Sequence, residues 1–175
     1  KIGVIYYYQG DYETTLGYFT RSSKLYEELG NKKGIAISLN NIGVLYDSQG
    51  NYDQAMVYYS KSLKIQEELG NKSGIANALT NIGLIYDSQG KYEQTLDYLS
   101  KSLKIREELG EKEGIANSLH NIAGIYSSQG NYEQALDYYF RSLKIEEEIG
   151  WKRGIAACLN DIGTIYQSQG NYEYA

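Results

Sequence analysis

One histidine and one cysteine, His120 and Cys158, are the side chains of this 175-residue chain best suited to act as base, nucleophile or metal ligand. An imidazole exchanges protons near neutral pH, but general acid-base work needs an aligned second group, and no Ser or Cys nucleophile is arranged around His120. A groove contact or plain exposure is the expected role of that histidine. Cys158 falls where other segments carry Ser38, Ala78 and Ser118, so it reads as a small packing residue. A single cysteine makes no intramolecular disulfide, and no Cys/His cluster reaches the ligand count of a structural zinc site. No metal or other cofactor is expected, and with no convergent pair of catalytic groups the chain is not expected to be an enzyme. The more regular chemistry is that of amides. Asn41, Asn81 and Asn121 recur at one step, and Asp161 continues the series. An amide presents donors and an acceptor together, so a row of them suits the backbone of an extended peptide whatever its side chains. The alternative is an Asn bonded to a neighbouring helix, settling the stack. Asp161 departs from the row, since an ionised carboxylate does not donate.

The elements that must position these residues repeat every 40 positions without insertion or deletion. Gly10, Gly50, Gly90, Gly130 and Gly170 mark one turn; Gly30, Gly70, Gly110 and Gly150 mark the other; Tyr6, Tyr46, Tyr86, Tyr126 and Tyr166 keep the same step. With 19 Gly and no Pro, the glycines act as punctuation rather than as a flexible linker. Ile75, Leu79, Ile82 and Tyr86 share one face at helical spacing, which predicts a helix over 72–89. Gly90 ends it, and a second helix is predicted over 92–109 before Gly110. Asn51 and Asn131, each followed three residues on by Gln54 and Gln134, are predicted N-caps. The expected organisation is all-α: one array with a partial repeat at 1–30, full units at 31–70, 71–110 and 111–150, and a partial repeat at 151–175. Both ends fall inside a repeat, so the array is expected to be part of a longer one. A single pair cannot bury its own apolar stripe, so each must stack on the next.

The unit resembles the tetratricopeptide repeat, in a form of 40 residues. The small and aromatic positions that carry the resemblance are Leu79, Ile82, Gly83 and Tyr86 on the first helix, with Thr95, Leu99, Ser102 and Ile105 on the second. The other full units give Leu39, Ile42, Gly43, Tyr46, Ala55, Tyr59, Ser62 and Ile65, then Leu119, Ile122, Ala123, Tyr126, Ala135, Tyr139, Ser142 and Ile145. Two departures stand out. Leu replaces the usual early aromatic of the first helix, and the proline that closes the second helix is absent. The resemblance implies an α-solenoid of antiparallel helix pairs wound into a right-handed superhelix, with first helices lining a concave groove. It also implies that the Asn of the first helix grips a peptide backbone.

At 100° per residue, positions 33, 37, 40, 41, 44 and 48 fall opposite the apolar face set by Leu39, Ile42 and Tyr46. Framework positions hardly change between units, whereas this face varies: Lys33, Ser73, Glu113, Arg153; Ile37, Asn77, Asn117, Ala157; Asn40, Thr80, His120, Asn160; Val44, Leu84, Gly124, Thr164. Gln66, Arg106 and Glu146 also vary and read as outward positions of the second helix. Lys64, Lys104 and Lys144, four residues before Glu68, Glu108 and Glu148, read as a solvated ion-pair face. Trp151 replaces a capping residue and is either packed over the corner or exposed as an anchor.

The net charge of -5 and pI near 5.0 argue against a nucleic-acid partner. No membrane span or export signal is visible, and a cytoplasmic protein is expected. The favoured reading is a scaffold that binds a peptide segment of a partner protein. Asn81 and Asn121 grip; Leu84, Asn77, Asn117 and His120 select; Asn41, Asn160 and Asp161 complete the groove. The alternative is an architectural spacer or a self-associating array that stacks end to end through Ile2, Ile5 and Tyr6 at one end and Tyr172 and Tyr174 at the other.

Overall fold

The first four N–H groups of a helix lack intrahelical acceptors, and the last turn needs a residue able to reverse the chain, so caps and corner glycines fix where each element starts and stops. The computed structural model describes residues 2–170; Tyr172 and Tyr174 lie outside them. Those residues form α1 (Ile2–Tyr8), α2 (Tyr12–Glu28), α3 (Lys32–Ser48), α4 (Tyr52–Glu68), α5 (Lys72–Ser88), α6 (Tyr92–Leu109), α7 (Lys112–Ser128), α8 (Tyr132–Ile149) and α9 (Lys152–Ser168). The fold is all-α, as expected. Asn51 Oδ1 accepts from the Gln54 amide at 3.3 Å and Asn131 Oδ1 from that of Gln134 at 3.5 Å. The return bond differs from the expected capping box, because Asn131 Nδ2 donates to the Gln134 side chain at 2.6 Å. Gly110 and Gly150 close α6 and α8 in the left-handed conformation, φ 66° and 68°, which costs a residue without Cβ nothing sterically. No helix of the described residues is long and apolar enough to cross a membrane.

The chain divides after Gln89 into two compact units. In the first, α1 to α5, the core is Ile42 and Leu45 from α3, Ala55 and Tyr59 from α4, and Ala76, Leu79, Ile82 and Ile85 from α5. Each buried Leu, Ile or Tyr of this kind contributes roughly 1.5–3 kcal/mol. Close approach of α3 and α4 depends on Gly43, where an added methyl would lie 2.6 Å from the Tyr59 ring. Ser62 Oγ on α4 donates to the Ala36 carbonyl on α3 at 2.9 Å, and Tyr46 stacks on Tyr58 with ring centres 5.4 Å apart. Lys32 reaches Glu68 at 2.8 Å.

The second unit, α6 to α9, repeats these contacts two periods on. Ser142 Oγ donates to the Ala116 carbonyl at 2.8 Å, Tyr126 stacks on Tyr138 at 5.6 Å, and Lys112 reaches Glu148 at 3.0 Å. One core patch joins Leu99 and Leu103 to Leu119, Ile122 and Ile125; another joins Ala123, Ala135 and Tyr139 to Cys158, Ile162 and Ile165. In both units the carboxylate expected to pair with Lys64 or Lys144 along its own helix instead meets a lysine of the preceding helix, whose amine the antiparallel packing brings closer.

Candidate functional site

The face of the first helices turned away from the core carries the expected binding residues, and each unit arranges its own. In the first unit, Asn81 Nδ2 on α5 donates to Asn40 Oδ1 on α3 at 2.9 Å, so this amide ties one helix to its neighbour. Asn41 is half-buried in the wall of a cleft of about 530 Å³ that also has Ile37, Val4, Tyr18 and Ser22. Ile37 is 49% exposed there, an apolar side chain beside an amide. Asn77 shares a smaller cleft, about 180 Å³, with Asn40 and Ile37, and Leu84 is half-buried. Partial burial raises the Asp47 and Asp87 carboxyls above the usual carboxylate value.

In the second unit, Asn117 is exposed and Asn121 half-buried. Asn160 lines a shallow cleft of about 370 Å³ with Leu159, Thr164 and Gln167. Asp161 Oδ2 lies 3.2 Å from His120 Nε2. His120 and Asp161 occupy the places that Asn40 and Asn81 hold in the first unit, so the same helix-to-helix link is made there with an imidazole and a carboxylate. The Asn row thus separates into members that join helices, Asn81 and the site of Asp161, and half-buried members at the face, Asn41 and Asn121.

His120 has further neighbours that its sequence position conceals. Contrary to the expectation that no Cys stands around it, its Nδ1 lies 3.2 Å from Cys158 Sγ, which helix packing brings over from α9, and its ring meets Tyr139 edge-on with centres 5.1 Å apart. Glu146, expected to point outward, is instead only 1% exposed. The reason lies in the corner glycine. A side chain added at Gly34, Gly74, Gly114 or Gly154 would run into Tyr26, Gln66, Arg106 or Glu146 respectively, so the bare glycine is the seat on which that side chain lies down. The Ser142 hydroxyl, whose one proton is shared with the nearer Ala116 carbonyl, lies 3.2 Å from Glu146 Oε1, whereas Glu146 Oε2 is buried with no hydrogen-bond partner. One ligand atom each from His120, Glu146 and Cys158 lie within 4.8 Å of one another. Burial above all, reinforced by the Glu146 carboxyl and the Asp161 charge, pushes the Cys158 thiol up to about 12. Burial likewise raises the Tyr139 hydroxyl, with Asp161 adding to the shift.

Trp151 packs over the corner. It stands at the N-cap of α9 without a side-chain cap bond, half-buried, and a methyl at Gly154 would meet its ring at 2.5 Å.

A family profile described as tetratricopeptide repeat matches residues 1–68 and 74–148, and another of the same description matches 155–175. No curated protein matches the chain by sequence. Among solved structures, BtubC (BKLC) from P. vanneervenii superposes with a TM-score of 0.86 at 20% identity, over 99% of this chain and 72% of that one. Aspartyl phosphate phosphatase F from Bacillus subtilis gives 0.80 at 16% identity, over 99% of this chain and 55% of that one. A Rap protein complexed with competence and sporulation factor gives 0.83 at 19% identity, over 98% and 48%. The chain therefore spans about half the length of the last two. These likenesses establish a shared helical-repeat fold.

Proposed function

The chain belongs to the tetratricopeptide repeat family, and from that premise we propose that it is a protein-interaction scaffold taking a peptide segment of a partner on the face of its first helices. The observation that carries this reading is the cleft beside Asn41, where a half-buried amide meets the exposed apolar side chain of Ile37. Such a cleft offers a backbone-directed polar group next to a wall for an apolar anchor. In the first unit Asn41, Asn77, Asn81 and Leu84 are the proposed contacts; in the second they are Asn117, His120, Asn121, Asn160 and Asp161. Positions that vary from repeat to repeat on a constant frame give each unit its own selectivity. One of the similar folds is seen holding a factor, which supports the reading by analogy.

The test is a random-peptide selection on the wild-type chain, with Asn41→Ala/Asn121→Ala as counter-screen and circular dichroism to verify unchanged helicity. Enriched peptides are expected to share a motif and to bind the variant at least about tenfold more weakly, a loss of about 1.4 kcal/mol. Equal binding to both proteins removes the groove reading. The second reading, a spacer or self-associating array, draws on the exposed Ile2 and Ile5 of α1 and Leu159 of α9. A clean monomer by light scattering at high concentration counts against it.

A further inference from the structure

We propose that His120, Glu146 and Cys158 form a binding site for a divalent transition-metal ion of the zinc type, set behind the peptide-binding face and sharing His120 with it. Their ligand atoms converge within 4.8 Å from three separate helices, α7, α8 and α9. Zinc takes imidazole nitrogen at about 2.0 Å and thiolate sulfur at about 2.3 Å, which at a tetrahedral angle sets the two about 3.5 Å apart. His120 Nδ1 and Cys158 Sγ stand 3.2 Å apart, close to that separation.

Two independent observations point to a cation. The first is Glu146 Oε2, buried and without a partner in a side chain that is 99% shielded from solvent. A carboxylate held this way is costly unless a positive charge faces it, and among the described residues no Lys or Arg ion pair reaches it. The second is the Asp161 carboxylate, whose Oδ2 lies 3.2 Å from His120 Nε2. A carboxylate on that side favours the tautomer with its proton on Nε2, which leaves Nδ1, 3.2 Å from Cys158 Sγ, free to ligate, the carboxylate-histidine arrangement that orients metal-bound imidazoles.

The repeat supplies a further argument. At the place of His120 the other repeats have Asn40, Thr80 and Asn160; at that of Cys158 they have Ser38, Ala78 and Ser118; at that of Glu146 they have Tyr26, Gln66 and Arg106. The three departures toward metal-ligating types meet at a single corner. Nitrogen, oxygen and sulfur donors together suit zinc and leave a fourth position for water. Metal binding exchanges the thiol proton of Cys158 for the cation, and the proton passes to solvent. His120, 28% exposed, is the side from which the ion enters.

The experiment uses the whole chain, freed of any affinity tag, stripped with chelator under reducing conditions and titrated with Zn²⁺ or Co²⁺. One equivalent is expected to bind, with release of a proton, a rise in Tm, a thiolate-to-cobalt charge-transfer band, and quenching by Co²⁺ of the single tryptophan, Trp151, which lies against the same corner. His120→Asn, Glu146→Gln and Cys158→Ser put back residues that other repeats already carry, so helicity is retained. Each is expected to weaken binding by at least about 100-fold, and Asp161→Asn by about 10-fold with the stoichiometry unchanged. Absence of a one-equivalent complex in the wild type, or undiminished binding by Cys158→Ser, overturns the proposal.

Discussion

Gly154 is where a single hydrogen atom decides what the corner admits. A methyl there would lie 2.5 Å from the Trp151 ring and 2.8 Å from the Glu146 carboxyl, so Gly154→Ala is expected to destabilise by about 1–3 kcal/mol, read as a lower urea midpoint. Gly124→Ala is the control: its methyl would meet only the Tyr139 hydroxyl at 3.8 Å, and the gain in helix propensity makes it neutral or stabilising by up to about 1 kcal/mol. At this scale the sequence was partly legible. Cys158 could be read as a small buried residue because Ser and Ala hold its place elsewhere. Glu146 could not be read as buried, because a carboxylate on a varying position looks like surface until the glycine under it is known to be a seat. The neighbours of His120 were hidden for a related reason, since Glu146 and Cys158 sit on other helices more than half a repeat away in sequence.

At the level of the helices, periodicity and corner glycines predicted the bounds of the unit read in detail to within a residue. The predicted helix over 72–89 ends one residue earlier, with Gln89 as its cap, and 92–109 appears as expected. What spacing could not supply was which helices lie side by side, and hence that Glu68 meets Lys32 rather than Lys64. One cap is weak by comparison with its counterparts. Lys91 holds the N-cap of α6 with no side-chain cap bond, where Asn51 and Asn131 accept from the third amide of their helices. Lys91→Asn is therefore expected to stabilise the protein by about 0.5–2 kcal/mol, measurable as a higher Tm with an unchanged circular dichroism spectrum.

Across the whole molecule, the 40-residue period was the most legible feature, because the serine-to-carbonyl bond, the tyrosine stack and the lysine-glutamate pair of one unit recur in the other. The ion pairs give this scale its prediction. Glu68 and Glu148 are held below the usual carboxylate range, first by the hydrogen bond and then by the charge of Lys32 and Lys112. Their folded values being depressed, the stabilisation is present above the ordinary glutamate value and is lost as pH falls through the lowered one. Lys32→Gln/Lys112→Gln is expected to lower Tm slightly at neutral pH and low salt, since both pairs are exposed, and the difference should close on acidification or on adding salt. The period also sets how new chemistry enters such a chain. The corner glycine seats Tyr26, Gln66, Arg106 and Glu146 alike, so the residue above it drifts without disturbing the frame. A duplicated repeat thus inherits a socket in which point mutations accumulate silently, and descent with modification alone is enough to turn one copy of a purely architectural corner into a place for chemistry while its sister copies go on carrying the load.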